Sequence, residues 1–298
     1  AQYYKTMRKI HCGASFLVSQ FGWDMLKLQE LRWNLHRRGC AIPMIARMLF
    51  LTPDNVENIC AGKYPGVHIS PDFELLLKRE CEHSRAQFEA AQLRRLQIHV
   101  AGARFLGCSG GQIAGIHRPE LLGTGLPPLR QALGEFPSFE DWRAAYLEYY
   151  ARIDMAPYPH RFYLFHGLLE TGMPPATPRI ADVEIKPLTW RERKCRSLVK
   201  KLFSHADALP AAERRLTKKL LCGCRSCAQC RLPLTDFVCP ELCPKGFANG
   251  PCGGNKADGR CELNDAPCVF LKRIRFANAE QNYLSLEGPP VPPPSSRP

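Results

Sequence analysis

The sequence predicts an α/β chain: the C-terminal part of a (β/α)8 barrel, then a helical linker, then a small cysteine-rich metal-binding module. Three observations carry this. Up to about residue 118, short apolar runs alternate with stretches of helical periodicity, the pattern of βαβ units around a parallel sheet. Only about three such strands precede Pro119, whereas a complete barrel takes about 250 residues, so the front of the chain corresponds to the last part of one. Finally, 9 of the 15 cysteines fall between Cys222 and Cys268. The expected boundaries are 1–118 for the partial barrel, 119–189 for the linker, 190–270 for the cysteine-rich domain and 271–298 for the tail.

The elements follow in order. Residues 16–20 form an apolar run that suits a buried strand. Residues 23–38 carry Leu26, Leu28, Leu31 and Leu35 at helical spacing and stop at Gly39. Residues 42–51 are a second apolar strand. Thr52 and Pro53 then open a helix, as N-cap and first helical position. Residues 74–101 are helical in pattern, in two pieces, and residues 104–116, with four glycines, are a third strand and its loop. From 119 to 186 proline clusters (Pro127-Pro128, Pro157, Pro159, Pro174-Pro175) mark a connecting region that one amphipathic helix, 139–153, interrupts. Residues 190–203 and 211–221 read as two basic helices joined by 207–210. After Tyr283 the tail ends in a proline run, 289–294, which favours an extended form.

Composition narrows the class. Of the 298 residues 45% are hydrophobic and 23% charged, which excludes wholesale disorder. There is no run of about 18 apolar residues and no secretory leader, so a cytoplasmic protein without a membrane span is expected. The chain starts Ala1-Gln2-Tyr3, without an initiator Met, as a fragment or a processed chain would. The net charge of +13 invites an anionic partner. That charge is uneven: residues 186–221 hold 11 basic and 3 acidic side chains, whereas 222–268 hold 5 of each. A basic zinc module on nucleic acid is therefore disfavoured, because the module itself has no positive excess and no interleaved aromatics.

The cysteine run has spacing suited to metal. Cys224-x2-Cys227-x2-Cys230 puts three thiolates on one tight turn, and Cys239-Pro240-x2-Cys243-Pro244 supplies a pair. Glycines at 246, 250, 253, 254 and 259 let the backbone turn closely. Iron–sulfur ligation fits the dense thiolates, the lack of histidine and the Cys-Pro pairs. Structural zinc on four thiolates fits the spacing too. A disulfide scaffold does not suit an odd count without a secretory signal. Eight thiolates serve two four-thiolate centres: Cys224, Cys227, Cys230, Cys239, Cys243, Cys252, Cys261 and Cys268. Cys222 is the spare, and Cys12, Cys40, Cys60, Cys81, Cys108 and Cys195 read as small core residues.

The run continues as Leu232-Pro233-Leu234-Thr235-x-Phe237 and then, after the Cys-Pro pairs, as Lys245, Asn249-Gly250-Pro251-Cys252-Gly253-Gly254, Gly259-x-Cys261-Glu262 and Cys268-Val269-Phe270. From about Trp190 to Phe270 this resembles the C-terminal cysteine-rich domain of methylenetetrahydrofolate reductases. The front, Lys9-x3-Gly13-Ala14-x5-Gln20-x3-Asp24, is similar to the sixth-strand region of the reductase barrel.

The resemblance implies an oxidoreductase of one-carbon and methionine metabolism. It would reduce 5,10-methylenetetrahydrofolate to 5-methyltetrahydrofolate through a flavin (FAD or FMN) that a pyridine nucleotide reduces. It implies Lys9 as a flavin contact, Gln20 as a pterin contact, and Ile116 and Arg118 beside the aminobenzoyl-glutamate part of the folate. It also implies an iron–sulfur cluster or zinc in the module and a redox partner subunit. The sequence departs from the family in three places. Val56 lies nearest to where a second folate-binding glutamine belongs, Gln2 lies near the position of an acidic flavin contact, and strands one to five, with the catalytic glutamate, are missing. A non-enzymatic electron-transfer or scaffold subunit is the alternative, and this chain by itself is expected to be inactive as a reductase.

Overall fold

Alternation at Met44, Ala46 and Met48 buries one face of the central strand of a small parallel sheet. The computed structural model describes residues 2–64, 67–116, 119–156, 163–170, 185–203, 211–225, 227, 230–256 and 258–292, without the side chains of 120–122 and 211–216. Two compact units form, Ser15–Val183 and a second made of Ala1–Ala14 with Glu184–Pro298.

In the first unit, β1 (Leu17–Val18), β2 (Met44–Leu49) and β3 (Gly110–Ala114) pair in parallel in that order, with Leu17 opposite Met44 and Leu49 opposite Ala114. The α/β expectation and the three strands agree with this. The strands are shorter than the apolar runs. At the sheet edge Phe16 and Val18 are exposed, while Leu17 and Ser19 donate to the β2 side, to Pro43 O and Ile45 O.

The helices begin where short polar side chains satisfy free N–H groups. Asp24 accepts from Leu26 N at the start of α2 (Met25–Arg37), which stops at Gly39 with φ +69. Thr52 accepts from Asn55 N at the start of α3 (Pro53–Cys60). The long helical pattern is indeed two helices, α4 (Pro71–His83) and α5 (Arg85–Phe105), because Ser84 is extended and caps the second. The linker differs from expectation. A helix α6 (Pro119–Ala132) precedes α7 (Phe139–Tyr149), with Pro127 and Pro128 inside it. Packing against α5 offsets the donors those prolines lack: Leu129 and Ala132 are buried, and a Cβ on Gly125 would lie 3.2 Å from Leu93. On α7, Trp142 is fully buried over Gly102 of α5 and donates from Nε1 to Ile98 O at 2.9 Å.

The second unit holds α1 (Gln2–His11), α8 (Trp190–Phe203), α9 (Ala211–Cys222), α10 (Val269–Ala279) and tight 3-10 turns at Leu232–Thr235, Pro240–Leu242 and Tyr283–Glu287. A small core joins Leu188, Val238, Val269 and Phe276. Two features differ from the sequence reading. The first helix belongs to the cysteine-rich unit rather than to the sheet, and residues after 270 are helical, with Phe276 and Ala277 buried. Among the described residues, no helix is long and apolar enough to cross a membrane.

Candidate functional site

Ligands of parallel sheets bind beyond the carboxyl ends of the strands. Here those ends lead into Gln20 after β1, Phe50 after β2 and Ile116 after β3, so the structure brings Gln20 and Ile116 to the same end of the sheet. Gln20 is exposed, and its Oε1 accepts the Phe21 N–H at 3.1 Å. The Arg47 guanidinium lies over the Phe21 ring, 4.4 Å from its centroid. Ile116 is half-buried and follows Gly115, whose φ of +87 and whose position, with a Cβ placed 2.5 Å from Phe50 O, admit only glycine. Asp24, which caps α2, is buried and receives the Tyr163 hydroxyl at 2.7 Å. Burial raises its carboxyl to about 6, against the pull of Tyr163 and Leu26 N–H. Arg118 lies outside the described residues. Lys9 is exposed on α1, in the other unit, and Val56 is buried in α3.

The thiols fall into two groups. Cys243, Cys252, Cys261 and Cys268 line one pocket beside Lys245, Gly253 and Gly254. Backbone N–H groups already face these sulfurs. Gly254 N donates to Cys252 Sγ at 3.3 Å, and the N–H groups of Leu271 and Phe270, at the start of α10, point to Cys268. Burial still pushes the Cys268 thiol up, with Cys252 and Cys243 adding to it. In the other group, Cys239 is buried and its thiol is pushed up to about 11, first by burial and then by Cys224, Cys227 and Cys230; the Arg225 N–H opposes this. Thiols in such surroundings stay protonated until a cation compensates them. All fifteen cysteines are free of disulfides. Among the described residues, no three His, Cys, Asp or Glu side chains meet at a common ion as they stand. The donor set, soft sulfur with backbone N–H support, fits zinc or an iron–sulfur cluster by its chemistry.

The Asn-Gly-Pro-Cys-Gly-Gly string serves packing. Asn249 grips Val291 with both ends of its amide, Nδ2 donating to Val291 O at 2.8 Å and Oδ1 accepting Val291 N at 2.6 Å. Arg8 donates to the same Oδ1, and Lys5 Nζ donates to Pro251 O at 3.0 Å. Gly250, at φ +139, lets the Lys5 stem approach to within 3.0 Å of where a Cβ would be. These contacts explain why α1 sits with this unit.

The basic helix α8 is seated against α10 by ion pairs. Arg196 donates to Glu280 and to Asp236 O, and Lys200 reaches Glu280 at 2.7 Å. Arg275 holds both oxygens of Glu192 at 2.9 Å, while Thr189 and Glu192 exchange hydrogen bonds as a capping box. Arg275 is the main reason that the Glu192 carboxyl lies down at about 2. A carboxyl with a lowered folded pKa contributes stability above its unfolded value and loses it as pH falls toward the folded one. Glu192→Gln is therefore expected to cost this unit about 1–2 kcal/mol near neutral pH, discounted for partial solvent screening. The difference from the parent should shrink from about pH 4.5 downward and vanish near about pH 2. Urea unfolding across that range checks it, and a pH-independent gap would mean that shape rather than charge is at work.

One helix-borne thiol escapes the spacing argument. Cys195 of α8 donates to Leu221 O at 3.6 Å, so the structure sets it beside the end of α9. Only the fold-back of two helices would have revealed it.

Residues 203–290, less than a third of the chain, match a protein family described as methylene-tetrahydrofolate reductase C terminal. No curated protein and no solved structure matches the chain. Over these residues the chain is thus similar to the C-terminal part of methylenetetrahydrofolate reductases.

Proposed function

We propose that the chain is a methylenetetrahydrofolate reductase-type protein, with the folate seated at the carboxyl ends of the strands and metal bound in the cysteine-rich unit. The family match over 203–290 is the observation that carries this reading. The parallel sheet, with an exposed glutamine and a half-buried isoleucine at its carboxyl end, supports it. Gln20 would orient the pterin by a two-point hydrogen bond, Ile116 would pack on the aminobenzoyl part, and Arg118 would meet the anionic glutamate tail. Lys9 is an exposed cation and does not by itself make a flavin site. No step is therefore assigned through the flavin here. Bound at the eight thiols, a metal centre would supply either a structural cross-link or, as an iron–sulfur cluster, a path for electrons.

In the intact reductase, Gln20→Ala is expected to raise the KM for folate about 5- to 150-fold, the equivalent of about 1–3 kcal/mol for a lost hydrogen-bond partner, with flavin content unchanged. Loss of flavin with an unaltered KM would place β1 in the wrong register. A second reading has one observation in its favour: the family match lies wholly in the cysteine-rich part. On that reading the chain is an electron-transfer or scaffold subunit, and the intact protein would show no flavin absorbance.

A further inference from the structure

Cys195 and Cys222 lie outside the run of eight thiols, and Cys195 precedes the segment that the family match covers. The structure nevertheless places both at one pocket together with Cys239. The three come from separate segments: Cys195 from α8, Cys222 as the last residue of α9, and Cys239 from the residue before the Pro240–Leu242 turn. The Cys195 sulfur rests 3.6 Å from Leu221 O, the carbonyl of the peptide bond that leads into Cys222.

Cys222 is half-buried, and Cys224, two residues on, is a neighbour of both Cys222 and Cys239. Val199 and Phe276 make the pocket wall apolar, and Lys272 stands at its side. Cysteines used as small core residues pack singly among hydrocarbon. Three cysteines that line one pocket from three segments, with a fourth adjoining and a cation at the edge, are instead a donor set that a soft or borderline metal ion could draw together. The Lys272 ammonium would offset part of the negative charge that four thiolates bring to one ion.

We infer that Cys195 and Cys222 are metal-ligating thiols of the first site, shared with Cys224 and Cys239, so that the α8–α9 pair is part of the centre rather than its support. On binding, each thiol gives its proton to solvent and its sulfur lone pair to the metal. This rests on the reading of the module as metal-binding. It replaces the sequence expectation that Cys222 is dispensable and that Cys195 is a core residue, and it leaves Cys227 and Cys230 outside the shell of this ion.

Cobalt(II) titration of the metal-free full chain tests it, because the sulfur-to-cobalt charge-transfer band grows with the number of thiolates bound. Cys195→Ser and Cys222→Ser should each weaken the band as Cys239→Ser does. They should also lower affinity, measured against a competing chelator, by at least the roughly 10- to 100-fold that loss of an outer-shell partner brings. Cys40→Ser should change neither. Wild-type band intensity in both variants overturns the inference. Should either variant fail to fold, the parent chain decides it: with cobalt bound, Cys195 and Cys222 must resist iodoacetamide as Cys239 does. Free alkylation of those two with Cys239 protected, or a disulfide between them, also overturns it. A parent chain that gives no charge-transfer band sinks the metal reading itself, whereas a band that depends on Cys243 and Cys268 but not on Cys195 or Cys222 sinks only this inference.

Discussion

Stripping metal from the full chain is expected to unfold residues beyond about 221 and to leave the three-stranded unit largely intact. One apolar cluster of the cysteine-rich unit joins Leu188, Val238, Val269 and Phe276, with Leu242 and Cys243 against them. Around the thiols the backbone makes tight turns and two isolated bridges, Asn255 with Cys261 and Arg260 with Pro267, instead of a sheet. A structural thiolate site contributes on the order of 10 kcal/mol. Loss of amide protection in 222–268 after chelation, with α5 and β2 still protected, is the expected hydrogen-exchange result. A protected module with all its thiols free would falsify the metal reading. Anaerobic preparation identifies the centre: brown protein with acid-labile sulfide means clusters, and colourless protein with stoichiometric zinc means zinc.

The largest single-residue effect is expected from Trp142→Ala, at about 3–5 kcal/mol of the stability of the sheet unit. Trp142 is fully buried, its ring fills the notch that Gly102 leaves on α5, and its indole N–H is satisfied by Ile98 O. Phe139, Tyr146 and Phe105 surround it, with ring centroids 5.5, 5.7 and 6.1 Å away. Truncation therefore removes aromatic contacts, empties a large cavity and deletes a buried hydrogen bond at once. Thermal unfolding read by near-ultraviolet dichroism checks the size of the loss. A change under about 1 kcal/mol would mean that α5 and α7 collapse to fill the space.

The parts of this molecule legible in its sequence are those that local chemistry decides. Thr52-Pro53 announces a helix start that the structure keeps, and the basic helix from Trp190 to Phe203 ends where its periodicity does. What the sequence hid depends on contacts far along the chain. Pro127-Pro128 reads as a break, yet packing on α5 holds that stretch helical. The helix after Cys268 is masked by its interleaved Lys272, Arg273 and Arg275, although Val269, Phe270, Phe276 and Ala277 do fall on one face. Chain order alone assigns α1 to the sheet, whereas Lys5 and Arg8 bond to Pro251 and Asn249. At the candidate sites, the eight-thiol spacing is readable because tight turns keep ligands close in sequence. The approach of Cys195 to the end of α9 is not, since it depends on how two helices fold back.

The grip of Asn249 on Val291 also has a consequence for the order of events on the ribosome. Every thiol from Cys222 to Cys268 is synthesised before Val291 exists to be held, and the Arg231 contact with Pro292 O comes later still. The nascent module thus passes through an interval in which its cysteine run is complete and the segment that Asn249 and Arg231 hold is still absent, so those two polar side chains wait for their partners until the last part of the chain is made.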